Sequence, residues 1–107
     1  MNCLTIEFPL LRARGFLNSK GKEIPLTTKD ILLYSYLKEK VNALSENNDV
    51  GYYESQEDIA ESLGMSLSSA KKSLKKFVDN DIILCYKQQR HNWLEFRYSV
   101  VRPLTLV

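Results

Sequence analysis

One histidine and two cysteines in 107 residues leave little from which to build a metal or catalytic centre. Cys3 and Cys85 stand far apart, neither in a Cys-x-x-Cys pair nor beside a histidine, so neither a zinc site nor a disulfide framework is suggested and two unpaired, mostly buried thiols are expected. His91 has no nucleophile or paired carboxylates to act with, and the sequence predicts neither an enzyme nor a cofactor. With 4 glycines and 3 prolines there is no collagen-like or low-complexity tract. No apolar run approaches the roughly 20 residues that span a bilayer, so no membrane partner is expected. The short apolar stretch at the N-terminus has no positive charge ahead of it, as a secretory signal would, and a cytoplasmic location follows as an expectation. What remains is a chain of ordinary hydrophobic and charged content, sized for one domain.

Charge is unevenly spread. Residues 1–65 hold 7 Lys and Arg against 10 Asp and Glu, and residues 66–107 hold 8 against 3, so the two parts carry −3 and +5. The steepest contrast lies at Ser66. Six acids and no base occupy Asn42–Met65, whereas four lysines and no acid occupy Ser66–Lys76. A basic face of this kind concentrates polyanions.

Hydrophobic periodicity supplies the elements. Leu4, Ile6 and Phe8 alternate with polar residues ahead of Pro9 and predict a short strand within an extended N-terminal arm, residues 1–26. Thr27 and Asp30 have N-capping spacing, and a helix from about Thr28 to Ser45 buries Leu33, Leu37, Val41 and Leu44. Glu46 to Gly51 reads as a loop and Tyr52-Tyr53 as a two-residue strand. These tyrosines, in the acidic half, read as packing residues and not as a platform for bases. Ser55 and Asp58 form the next capping pair, opening a helix from about Gln56 to Leu63 with Ile59, Ala60 and Leu63 inward, and Gly64 stops it. Capping accounts for the acids Glu57, Asp58 and Glu61.

From Ser66 a third helix carries Leu67, Ala70, Leu74, Phe77 and Val78 on one face and Ser68, Ser69, Lys71, Lys72, Lys75 and Lys76 on the other. Past Asp81 the period changes to two. Strands beginning at Ile83 and ending at Val100 flank a polar tip, Gln88–Asn92, with Trp93 as an anchor at the start of the second strand. Residues 102–107 form an apolar tail.

The run Ser55 to Phe77, with small Ala60, the Gly64-Met65 turn and the Ser66 cap, resembles a helix-turn-helix, and with the hairpin after it residues 27–101 are similar to a winged-helix domain. The expected fold is therefore α+β, mostly helical: a winged helix-turn-helix of three helices plus a C-terminal β-hairpin wing. Ile24-Pro25-Leu26-Thr27 and Gly51-Tyr52-Tyr53-Glu54-Ser55-Gln56-Glu57-Asp58-Ile59-Ala60 further resemble the N-terminal winged-helix domain of plasmid and phage replication initiators, which implies binding to duplex repeats. Winged helices commonly have glycine where Asp81 stands.

That resemblance makes double-stranded DNA the expected partner and regulation of transcription or replication the expected function. The third helix would enter the major groove, with Ser68, Ser69 and Lys72 as readers of base edges. Ser66 and the free N–H groups at the helix start suit a phosphate. Lys71, Lys75 and Lys76 would neutralise phosphates. Arg90 and His91 at the wing tip would reach the minor groove. A homodimer on two half-sites, and a protein partner in replication or transcription, complete the expectation. The alternative is a winged helix that uses the same face to dock a protein and binds no DNA.

Overall fold

The computed structural model describes residues 6–44, 52–90 and 93–107, with backbone alone for residues 44, 88–90, 93–96 and 100. Its architecture is α+β with small antiparallel sheets. The chain order is α1 (Phe8–Arg12), β1 (Gly15–Leu17), β2 (Glu23–Pro25), α2 (Thr28–Leu44), β3 (Tyr52–Tyr53), α3 (Gln56–Leu63), α4 (Leu67–Asp79), β4 (Ile83–Arg90), β5 (Trp93–Val101) and β6 (Thr105–Leu106). No helix among the described residues is long and apolar enough to cross a membrane.

The three longer helices start and stop as the local chemistry dictates. At α2 a reciprocal box forms: Asp30 N–H donates to Thr27 Oγ1 at 3.2 Å and Thr27 N–H donates to Asp30 Oδ2 at 2.9 Å. Ser55 Oγ accepts from Asp58 N–H at 3.1 Å and Ser66 Oγ from Ser69 N–H at 3.1 Å, capping α3 and α4. Between them Gly64, at φ 65°, takes the left-handed conformation that ends α3, and Met65 N–H closes the turn onto the Ala60 carbonyl at 3.0 Å. Asp81 also has a positive φ, 61°, at the turn from α4 into β4, where a side chain is tolerated at a cost.

The N-terminal stretch differs from the expected arm. Phe8 opens a helix and lies in no strand, because Pro9 in the first turn loses no needed N–H and has φ already set for a helix; Met1–Thr5, including Cys3, fall outside the described residues. Leu10 is buried and β1 and β2 form a hairpin whose turn is held by Asn18 Oδ1, accepting from the N–H groups of Lys20 and Lys22. Gly15 is required there: a Cβ would lie 2.5 Å from the Ile24 carbonyl oxygen. The tail forms the third strand of this sheet, ordered β2-β1-β6, and Tyr34 OH donates to the Arg102 carbonyl at 2.9 Å.

The second sheet runs β3-β5-β4. Its hairpin is longer than expected, pairing through Arg90↔Trp93 so that Gln88–Arg90 belong to a strand, held there by the backbone ladder. His91 and Asn92, the Glu46–Gly51 segment and the Trp93 side chain lie outside the described residues. Glu54, just ahead of α3, accepts hydrogen bonds from Tyr36 OH at 2.7 and 2.9 Å and from Tyr52 OH, fastening β3 to α2.

Phe16, Leu33, Tyr34, Leu37, Ile59, Leu74, Phe77, Ile83 and Tyr98 form one core. Phe77 is its centre, 5.8 Å from the Phe16 ring and 5.6 Å from Tyr34. Leu63 and Val78 pack at its margin. Helices α2, α3 and α4 followed by the β4–β5 hairpin make an order compatible with a winged-helix fold.

Candidate nucleic-acid interface

The buried side of α4 is Ala70, Ser73, Leu74 and Phe77. At 100° per residue the opposite ridge is Ser68, Lys72 and Lys75, all exposed, with Asp79 at its far end. Lys71 lies on the flank toward α3 and β4, and Ser69 and Lys76 lie on the flank toward α2. This phase separates residues that the sequence had placed on one face.

Ser66 Oγ is committed to its cap and donates to Ser69 Oγ at 3.0 Å. Ser69 is half-buried, and its Oγ also accepts from Lys29 Nζ at 3.0 Å. Lys71 and Lys72 are exposed and carry no ion pair among the described residues. Lys75 pairs with Asp79 across one helical turn, 2.9 Å apart and open to water, a pair worth only about 0.3–0.5 kcal/mol and so readily exchanged for a phosphate.

Lys76 is different. Its ammonium group pairs with Asp30 and donates to the Pro25 carbonyl at 3.0 Å, and its side chain is 23% exposed. It does not belong to the outward face. Asp30 itself is 2% exposed and also accepts from Ser73 Oγ at 2.6 Å. Burial pushes this carboxyl up, but hydrogen bonds from Lys76, Ser73 and Thr27, together with the Lys76 charge, outweigh it and hold the carboxyl below its ordinary range. The cluster fixes the start of α2 against α4 and therefore sets the angle at which α4 is presented.

Two basic residues join the site that the third helix alone does not supply. Lys29, in the first turn of α2, faces a hollow of about 270 Å³ shared with Ser69 and Lys72. Lys87, on β4, shares a larger hollow of about 520 Å³ with Lys71 and Lys75, floored by Leu74, Val78 and the half-buried Cys85. Burial pushes the Cys85 thiol up, away from thiolate chemistry. Sequence reasoning missed both; Lys87 shares a side of β4 with Ile83 and Cys85, a period-two signal that could have found it, whereas Lys29 is linked to α4 only by helix packing. Of the expected wing contacts, Arg90 is defined in backbone alone and His91 lies outside the described residues.

No protein-family model and no curated protein matches the chain. A solved structure described as a possible transcriptional regulator from Methanosarcina mazei Go1 is similar, with a TM-score of 0.47 and 15% identity, covering 82% of this chain and 75% of that one. A likeness at that level assigns nothing to this chain.

Proposed function

We propose that this chain is a winged helix-turn-helix protein that binds double-stranded DNA sequence-specifically, with α4 in the major groove, and regulates transcription or replication. The observation that carries the reading is the outer ridge of α4: Ser68, Lys72 and Lys75 stand outermost on a helix fastened to α2 and packed against α3, with Lys71 beside them. An α-helix fits the major groove, where base edges differ in donors and acceptors. Ser68 and Lys72, near the leading end, reach bases. Lys71 and Lys75 neutralise phosphates, joined by Lys29 on one flank and Lys87 on the other.

About four such contacts predict a log–log salt slope near −4 per subunit. One module of this size binds weakly, so the reading includes a homodimer on half-sites about one helical turn apart. Binding of origin repeats, as in the replication initiators that the sequence resembles, is its narrower form. The test is fluorescence anisotropy with random duplexes, then selection of bound sequences at two salt concentrations. Retention of duplex by the wild type and its loss in Lys72→Glu are expected; no duplex binding by the wild type at low salt overturns the reading.

A further inference from the structure

The β3-β5-β4 sheet has two sides of different character, and its register says which residues share each. Tyr52 pairs with Tyr98 and Tyr98 with Cys85, and this row faces the core: Tyr98 is fully buried. The next row, one residue along, therefore faces away from the core and from α4. It consists of Tyr53, Arg97 and Tyr86, one residue from each strand. Tyr53 is 44% and Tyr86 37% exposed, and Leu84, two residues before Tyr86 on the same side of β4, is 56% exposed. The Arg97 guanidinium lies 5.7 Å from the Tyr53 ring centroid. The row holds a cation and no carboxylate.

We infer that this outer sheet face is a second binding surface, for single-stranded nucleic acid, whose unpaired bases stack on Tyr53 and Tyr86 while Arg97 meets the backbone or a base face. Neighbouring strands lie about 4.8 Å apart, so the two tyrosines are anchored about 10 Å apart, and bases that are not immediate neighbours in an extended strand can stack on them. Size argues against a protein occupant. β4 and β5, eight and nine residues long, with the two-residue β3 beside them give a face of about 300 Å², well short of the roughly 800 Å² per partner that stable protein interfaces bury. Charge argues the same way, since the one charged residue of the Tyr53-Arg97-Tyr86 row is the cation Arg97. The inference does not depend on α4 binding duplex, because the two surfaces lie on opposite sides of the sheet.

The test is anisotropy of labelled oligo-dT and oligo-U against the full chain, with a duplex measured in parallel. Tyr53→Ala and Tyr86→Ala should each weaken single-strand binding by roughly tenfold and leave duplex affinity unchanged, whereas Tyr53→Phe and Tyr86→Phe retain it because the stacking ring remains. Lys72→Glu should do the reverse. Comparison of the dT and U arms shows whether DNA or RNA is preferred. Absence of binding to both oligomers overturns the inference, as does equal loss of single-strand and duplex affinity in the tyrosine variants. Self-association abolished by Tyr86→Ala would identify a second copy as the occupant and overturn it too.

Discussion

Lys76, near the end of α4, reaches across to Asp30 in the first turn of α2, and the pair sits where the two helices meet, with Asp30 almost fully buried and Ser73 and Thr27 supplying its remaining hydrogen bonds. A lysine that looks from the sequence like part of a DNA-facing row thus sets the geometry of that row. Asn80 and Asn18 support the same corner: Asn80 Nδ2 donates to the Lys76 carbonyl at 2.7 Å and its Oδ1 accepts from Asn18 Nδ2 at 3.0 Å, tying the end of α4 to the β1–β2 turn.

Removing the cation leaves a buried carboxylate without its partner. Lys76→Ala should destabilise the fold by about 2 kcal/mol, below the range for a fully buried pair because Lys76 is partly solvated. Urea unfolding measures this. The same variant, while folded, should keep the wild-type salt slope for duplex binding.

The Asp30 carboxyl gives that corner a pH dependence of known sign. Its value is lowered in the folded chain, so its contribution is present above the unfolded value, about 3.8, and is lost as pH falls through the lower folded one. Unfolding free energy followed downward from neutral pH should therefore drop below about pH 4, and drop less steeply in Asp30→Asn. Equal slopes in the two proteins would contradict the assignment.

Asp81 adopts a positive φ without being glycine. Asp81→Gly should relieve that strain and raise stability by about 0.5–1 kcal/mol, whereas Asp81→Val, β-branched, should lower it by more than that. Thermal unfolding of the two variants against wild type checks both signs.

What the sequence made legible was local. The caps at Thr27, Ser55 and Ser66 and the Gly64 turn need only neighbouring residues, and the starts of α2, α3 and α4 and the end of α3 follow from them. The β2-β1-β6 sheet was not legible, since its strands are two or three residues long and β1 finds β6 only across nearly the whole chain. Lys76 was misplaced for a related reason. It lies at the edge of the apolar stripe of α4, and its partner stands 46 residues earlier, beyond any periodicity. Tyr53 looked like packing until its register beside Arg97 put it on the outer side of the sheet, while Tyr52 next to it turns inward to Glu54.

The salt dependence of duplex binding tests the central claim most directly. With the affinity of wild type, Lys72→Ala, Lys75→Ala and Lys76→Ala followed across salt concentrations, the slope should fall in magnitude by about one for Lys75→Ala and stay at the wild-type value for Lys76→Ala, and Lys72→Ala should lose affinity most for the selected sequence. A chain that binds no duplex, or one whose affinity is indifferent to Lys72 and Lys75, would contradict the assignment of α4 as the DNA-facing helix.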